Sequence, residues 1–237
     1  MTPTIEVRGL VKRFGGLTAL DGASFDAPPA AVLGIIGVNG AGKTTLMNCI
    51  CGIYRPDEGK IRIGDHDVTG RTPHEIAHRG VGRTFQIPRV FGRMSLVDNL
   101  LVPVLDQRLP DAELVQRAEA MLEQMRLIDL RHSYAEELSG GQQKLLEMAR
   151  MLMPDPSVVM LDEPFAGVHP QLCHFMIERI EAMAAKGKTV LLISHDLTSI
   201  YRLSHRVIAM NQGRVIAEGS VDEIRSNHAV IEAYLGD

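Results

Sequence analysis

Residues 37–44 read GVNGAGKT, and this glycine-rich segment is the strongest indicator of the fold. It fits the pattern Gly-x-x-x-x-Gly-Lys-Ser/Thr at every fixed position. The apolar run from Ala31 to Ile36 predicts a buried parallel strand directly before it, and the run from Thr45 to Cys51 predicts a helix directly after it. Strand, glycine-rich loop and helix in this order predict a site where backbone N–H groups bind phosphate oxygens.

The residue types in this loop indicate a nucleoside triphosphate accompanied by Mg²⁺. Lys43 is expected to reach the β and γ phosphates, and the hydroxyl of Thr44 is expected to bind the metal. The glycines let the backbone approach the phosphates without side chains in the way. The predicted nucleotide-binding residues of this segment are Gly37, Asn39, Gly40, Ala41, Gly42, Lys43, Thr44 and Thr45.

Two carboxylates follow a second apolar run. Val158 to Leu161 predicts a buried strand, and Asp162 and Glu163 come directly after it. Ligands bind at the carboxyl edge of a parallel sheet, so both acids are expected beside the phosphate loop. We expect Asp162 to hold Mg²⁺ through water and Glu163 to act as the general base towards the attacking water. A carboxylate pair on a surface turn would leave the apolar run unexplained.

β patterns flank a helical middle. Alternating apolar residues near the N-terminus and in Lys60–Ile63 predict a partly antiparallel β region around the central strand. Two further apolar runs, Ser157–Leu161 and Thr189–Ile193, predict buried strands joined by a helix over Leu172–Lys186, which Gly187 ends. Strand, helix and strand in this order predict a right-handed crossover in a parallel sheet.

The middle of the chain predicts a helical insert at about residues 88–153. Within it, Ala112–Leu130 is predicted to form one helix, because apolar residues recur at spacings of three and four. These residues are Leu114, Ala118, Met121, Met125 and Ile128. Two heptads are too few for a coiled coil, so we expect this apolar face to pack inside the domain.

Composition excludes several classes of protein. The chain has 237 residues, 45% hydrophobic and 23% charged, which is ordinary for a globular protein and excludes a disordered one. A net charge of −4, no Trp and 4% aromatic residues argue against nucleic-acid binding. Cys49, Cys51 and Cys173 are too few for a disulfide framework and predict reduced thiols. No signal peptide and no run of about 18 apolar residues is recognisable, so we expect any membrane role to come through a partner.

The string Leu138-Ser139-Gly140-Gly141-Gln142 adds a third motif. Its local interpretation is a helix start, with Ser139 and Gln142 forming a capping box. Together with the phosphate loop and the Asp-Glu strand, however, the string resembles the signature of the ABC ATPase family. The resemblance implies that Ser139, Gly140, Gly141 and Gln142 bind a nucleotide held by a second subunit.

Further positions match the same family. The resemblance implies that Phe14 stacks on adenine, that Gln86 belongs to a glutamine loop and that His195 contacts the γ phosphate. It thus implies a catalytic set of Glu163, His195, Gln86 and Lys43, and a metal-binding set of Thr44, Gln86 and Asp162. In two places the sequence departs from the family pattern: Val38 replaces a common proline, and His169 replaces an aspartate that crosses the dimer.

One branch of the family is more similar than the others. Several runs resemble the ATPases of branched-chain amino-acid importers, in particular the paralogue with an Arg-Thr-Phe-Gln loop; they are Arg83–Gln86, Arg89–Phe91, Met94–Leu96, Asn99–Leu101 and Ala166–Val168. The C-terminal run is Tyr234–Asp237, and we expect no appended regulatory domain. The resemblance implies an α/β P-loop NTPase (RecA-like) fold: a parallel sheet core with an antiparallel β subdomain and an α-helical insert subdomain. Residues 1–87 and 154–237 would form the nucleotide-binding core, and about 88–153 the signature subdomain, of a single domain.

The resemblance also implies the cofactors and partners. These are ATP and Mg²⁺, a second ATPase subunit (a paralogue or a second copy), two integral-membrane permeases and, indirectly, a periplasmic or extracellular solute-binding protein. Nucleic acid is not among the partners. The implied location is the cytoplasmic face of the inner (cell) membrane. In such a transporter, Val90, Phe91 and Met94, among Arg89 and Arg93, would contact a permease, although buried core is the alternative interpretation.

Other functions stay open at this point. Import of urea or amides uses closely similar ATPases, and the lipopolysaccharide-export ATPase has a run like Pro164–Val168. A soluble ABC ATPase of DNA repair or translation would have long coiled coils or two cassettes, and the chain has neither pattern. A P-loop kinase would lack both the signature and the switch histidine.

Overall fold

The computed structural model describes residues 4–235. Gly236 and Asp237, the end of the C-terminal run quoted above, lie outside the described residues. The strands are β1 (Ile5–Phe14), β2 (Leu17–Ala27), β3 (Val32–Ile36), β4 (Glu58–Ile63), β5 (His66–Asp67), β6 (Val81–Arg83), β7 (Val158–Asp162), β8 (Thr189–Ile193), β9 (Arg206–Asn211) and β10 (Arg214–Gly219). The α-helices are α1 (Lys43–Ile50), α2 (Pro73–Ala77), α3 (Leu96–Leu101), α4 (Asp111–Gln124), α5 (Gly140–Leu152), α6 (Pro170–Ala185), α7 (Leu197–Leu203), α8 (Val221–Ser226) and α9 (His228–Leu235).

The larger sheet has the strand order β10-β9-β3-β8-β7-β6, and its strands are parallel except β10. Every residue of β3, β7 and β8 is buried, because both faces of these strands are covered. The predicted buried strands and parallel sheet are therefore confirmed. Asp162 pairs with Ile193, so the ends of β7 and β8 lie side by side.

A second, antiparallel sheet of order β2-β1-β4-β5 packs with α1 against one face of the larger sheet. Helices α4 to α7 cover the opposite face. Alternate residues of β3 point into the two cores: Leu33 and Ile35 into the first, Val32 and Ile36 into the second. The predicted antiparallel region is confirmed.

Helices and turns occupy the segment between β6 and β7. It contains α3, α4, α5 and three short 3₁₀ turns at 102–104, 128–130 and 135–137. Leu114 and Ala118 of α4 are buried in the same core as the helices on the sheet, as the periodicity predicts. Leu122, which the prediction did not include, is buried with them, and Met121 is only partly buried against this core. Among residues 4–235, no helix combines the length and the apolar character needed to cross a membrane.

Helix boundaries differ from the prediction in one important place. The expected helix over 112–130 ends at Gln124, because Arg126 adopts a left-handed conformation with φ 58°. The N–H of Leu127 then donates to the carbonyl of Leu122 at 2.8 Å, and the N–H of Arg126 donates to Glu123 at 3.0 Å. This closure is normally made by glycine, so an arginine there gives no sequence signal. Helix α6 does end as predicted, at Gly187 with φ 86°.

Candidate nucleotide-binding and hydrolysis site

The phosphate loop joins β3 to α1 at the carboxyl edge of the larger sheet. Two of its glycines are required by close backbone approach. A Cβ atom at Gly37 would lie 2.4 Å from the carbonyl oxygen of Met210, and one at Gly42 would lie 2.6 Å from that of Ala19. Gly42 also has φ 100°, a backbone conformation that residues with a Cβ atom rarely adopt.

Lys43 folds back across this loop. Its ammonium donates to the carbonyl oxygens of Gly37 at 2.7 Å and Val38 at 3.0 Å. Burial lowers the pKa of Lys43, while the carboxylates of Glu163 and Asp162 act in the opposite direction. The loop therefore holds a cation at the place where the sequence predicts phosphates.

A cavity of about 480 Å³ brings most of the predicted site together. The loop and first helical turn, Asn39–Thr45, line one side of it. Asp162, the last residue of β7, lines it together with Gln86 and Glu163 from the turns that follow β6 and β7. Three segments that are far apart in sequence thus meet at one edge of the sheet, as the parallel topology predicts. Leu17, Thr18 and Gln212 also line the cavity, and no sequence motif indicates them.

Asp162 is almost fully buried beside an arginine that the sequence analysis did not place in the site. Its Oδ2 accepts a hydrogen bond from Arg83 at 3.2 Å, and the two side chains are 3% and 6% exposed. Burial raises the pKa of Asp162, and the Arg83 guanidinium opposes that rise. Arg83 also donates to Oδ1 of Asn48 at 2.6 Å and to Sγ of Cys51 at 2.9 Å.

The other carboxylate oxygen of Asp162 fits a hydrated Mg²⁺. Oδ1 is buried and, among residues 4–235, has no hydrogen-bond partner. An orphaned buried acceptor requires a ligand or water, and Mg²⁺ is commonly held by one or two protein groups together with water and phosphate oxygens. Thr44 and Gln86, the other two predicted metal-binding residues, line the same cavity as Asp162.

Glu163 and His195 lie at the tips of β7 and β8. Oε2 of Glu163 accepts hydrogen bonds from the backbone N–H of His195 at 3.2 Å and from its Nδ1 at 2.7 Å. The glutamate is 9% exposed and its backbone is left-handed, with φ 51°. The imidazole is 71% exposed, and His195 is not among the described residues that line the cavity, although its partner Glu163 is. The two hydrogen bonds fix the Glu163 carboxylate next to the His195 imidazole. Chemically, a carboxylate can accept a proton, and an imidazole can donate a hydrogen bond to a phosphate.

The signature string caps α5 and lies outside the cavity. Ser139 Oγ accepts from the N–H of Gln142 at 3.4 Å, and Oε1 of Gln142 accepts from the N–H of Ser139 at 3.0 Å. The predicted capping box is thus present. Ser139 and Gly140 are exposed, and none of Ser139, Gly140, Gly141 and Gln142 is among the described residues that line the cavity.

Phe14 is also not among the described residues that line the cavity. It is 41% exposed at the end of β1, edge-on to Tyr54 at 5.1 Å between ring centroids. Lys12 places its ammonium 5.3 Å from the Phe14 centroid. Phe14 pairs with Leu17 of β2, and Leu17 lines the cavity.

Comparison with known proteins identifies the family. The sequence matches the family model described as ABC transporter over residues 20–166, and the one described as Branched-chain amino acid ATP-binding cassette transporter over residues 214–237. It is 38% identical to the probable branched-chain amino acid transport ATP-binding protein LivG of Archaeoglobus fulgidus, across 98% of this chain and 95% of that one. It is equally identical, 38%, to the high-affinity branched-chain amino acid transport ATP-binding protein BraF of Pseudomonas aeruginosa, across 99% and 98%.

A solved structure is similar over its whole length. MJ1267, an ATP-binding cassette of an ABC transporter in its ADP conformation, aligns with a TM-score of 0.89 and 35% identity, covering 100% of each chain. The expected fold class and the sequence resemblance are thereby confirmed, while the roles of individual site residues stay predictions. Because these similarities run almost from end to end, the protein belongs to the ABC transporter family, as an ATP-binding subunit that hydrolyses ATP.

Proposed function

We propose that this chain powers the uptake of branched-chain amino acids, or of a related small polar solute, through partner permeases. The observation that carries the proposal is the full-length similarity to LivG and BraF, together with the matching C-terminal segment 214–237. The same observation favours amino-acid import over urea import and over lipopolysaccharide export.

Hydrolysis is assigned to the residues around the cavity. Glu163, which lines the cavity, accepts the proton of the attacking water. His195 holds that carboxylate through Nδ1, and we assign its exposed ring to the γ phosphate. Lys43 contacts the β and γ phosphates in place of its two carbonyl partners. Thr44, Asp162 and Gln86 would hold Mg²⁺, which when bound neutralises charge on the β and γ phosphates.

A second ATPase subunit completes the site. Ser139 and Gly140 are exposed at the start of α5, where free N–H groups and the helix dipole favour an anion. Since these residues lie outside the cavity of their own chain, they are assigned to the nucleotide of a partner, which is a paralogue or a second copy. We assign residues 1–87 and 154–237 to the nucleotide-binding core and about 88–153 to the signature subdomain.

The permeases are assigned to the surface that follows Gln86. Ile87 is 79% exposed and Phe91 is 44% exposed, whereas Val90 packs against the core. The exposed arginines Arg89 and Arg93 lie among them. Exposed apolar anchors with a basic rim suit a cytoplasmic helix of a permease. This contact would hold the subunit at the cytoplasmic face of the cell membrane, with a solute-binding protein on the far side.

Reconstitution with its permeases, partner ATPase and solute-binding protein in lipid vesicles tests the proposal. We expect ATP-dependent uptake of labelled leucine, isoleucine or valine, with urea and acetamide as comparison solutes. Phe91→Asp is expected to leave ATP binding by the isolated chain intact but to abolish uptake. Ile231→Asp, which changes an exposed apolar residue of α9, is the matched control. Wild-type uptake and permease stoichiometry in the Phe91 variant would exclude this surface as the contact.

A further inference from the structure

Helix α5 carries two charged side chains into the interior. Lys144 is 9% exposed and Glu147 is 2% exposed, and they lie on neighbouring turns of one helix face. Burying a charge is costly unless hydrogen bonds satisfy it. Both residues are satisfied by backbone groups, and those groups belong to the two turns that carry Glu163 and Gln86.

Lys144 holds the turn that begins at Glu163. Its ammonium donates to the carbonyl oxygens of Glu163 at 2.9 Å, Pro164 at 3.2 Å and Ala166 at 2.7 Å. The three N–H groups of an ammonium therefore meet three acceptors. Glu163 has a left-handed backbone, which a residue with a side chain adopts only when its surroundings require it. The hydrogen bond from Lys144 to the carbonyl oxygen of Glu163 helps to hold this backbone conformation.

Glu147 holds the segment on both sides of Gln86. Its carboxylate accepts from the N–H of Phe85 at 3.3 Å and from the N–H of Arg89 at 2.8 Å. One turn further along α5, the guanidinium of Arg150 donates to the carbonyl oxygen of Arg89 and lies 5.0 Å from the centroid of the Phe91 ring. The segment from Phe85 to Phe91 is thus fastened to the same helix that holds the turn of Glu163.

We infer that Lys144 and Glu147 are positioning residues through which α5 sets the places of Glu163 and Gln86 together. The inference rests on the proposed function, because it takes the start of α5 to contact the nucleotide of the partner subunit. A helix of 13 residues is a rigid rod about 20 Å long. A shift of its first turn on nucleotide docking therefore moves both turns of its own site at once.

Glu147→Gln tests the hydrogen bonds that hold the segment around Gln86. Glutamine has the same shape, but its NH₂ group cannot accept from an N–H, so one of the two bonds is lost. In the assembled transporter we expect the Mg²⁺ concentration for half-maximal ATPase activity to rise by about tenfold, the effect of losing a group that orients a metal ligand. The stimulation by the permeases should fall as well. ATP affinity of the isolated chain without Mg²⁺ should stay unchanged. Glu123→Gln, on an exposed face of α4, is the control.

Lys144→Met tests the hydrogen bonds that hold the turn beginning at Glu163. We expect kcat to fall by about 100-fold, the penalty for misplacing a catalytic group by about 1 Å, with KM for ATP unchanged. Lys144→Arg, which restores N–H donors, should recover part of kcat. Lys186→Met, at an exposed position after α6, is the control.

Thermal unfolding of every variant separates positioning from stability. If Lys144→Met and Glu147→Gln lower only the melting temperature, with kcat, Mg²⁺ dependence and permease stimulation equal to wild type, the inference is overturned. A wild-type complex without coupled ATPase activity would instead contradict the proposed function. The two failures are therefore distinct.

Discussion

The charged side chains of the phosphate loop and of helix α5 differ in how far along the sequence their hydrogen-bond partners lie. Lys43 contacts carbonyls only five and six residues away, within the loop that it serves. Lys144 contacts carbonyls 19 to 22 residues away, and Glu147 contacts amides 58 and 62 residues away. The loop is therefore a local structure that binds a ligand, whereas α5 connects parts of the site that only the fold brings together.

The difference predicts which step each region controls. A substitution in the phosphate loop should weaken nucleotide binding, because the loop geometry depends on its own residues. A substitution of a residue whose contacts join distant segments should affect turnover or folding, since it alters how those segments lie relative to one another.

Glu163→Gln should give the largest change, in turnover alone. The amide can still accept the hydrogen bond from the N–H of His195, but it cannot take a proton from water. We expect phosphate release to fall about 100- to 10,000-fold, the usual contribution of a general base, with ATP affinity retained. Equilibrium binding and phosphate release measured on one preparation check this. Unchanged ATPase activity in the assembled transporter would remove Glu163 from this role.

Arg83→Met should act on folding. It leaves Asp162 Oδ2, Asn48 Oδ1 and Cys51 Sγ without their shared donor in the interior. Breaking a buried ion pair costs about 3–5 kcal/mol in the free energy of unfolding. Chemical denaturation measures the loss. The control is Arg13→Met, which breaks the exposed Arg13–Glu58 pair and should cost about 0–1 kcal/mol. Equal losses in the two variants would contradict the assignment.

Lys43→Ala should weaken ATP binding itself. Charge-assisted hydrogen bonds are worth about 1.5–3 kcal/mol each, so losing one predicts about 10- to 100-fold lower affinity. Isothermal titration of the isolated chain measures it, with Lys60→Ala on an exposed position of β4 as the control. Wild-type affinity would mean that the loop does not bind phosphate through Lys43, and the comparison with α5 would fail.

Phe14→Ala should have the smallest effect. Aromatic stacking on a base is worth about 1–3 kcal/mol, and the half-exposed ring of Phe14 should give a value near the lower limit. We expect a modest rise in the ATP concentration that is needed and a smaller difference between ATP and GTP. Competition binding with both nucleotides measures it. Loss of all nucleotide binding would point to misfolding of the β1–β2 turn instead.

Local signals explain what could be predicted from the sequence. The phosphate loop, the Asp-Glu pair after β7, the cap at Ser139 and the end of α6 at Gly187 each depend on neighbouring residues and on strand or helix periodicity. The meeting of the phosphate loop with Asp162 and Glu163 at one sheet edge also followed, because parallel strands align their carboxyl ends. Gln86 was expected there only from the family resemblance.

Three other features depend on contacts between segments that are distant in sequence. Arg126 ends α4 in a left-handed conformation that its residue type does not indicate. The Arg83–Asp162 pair joins residues 79 positions apart, and Lys144 and Glu147 would be assigned to a solvated helix face from their charge. Burial of a charged residue depends on the backbone groups that surround it. Those groups come from distant segments, so their positions are determined only when the sheet and the helices pack together.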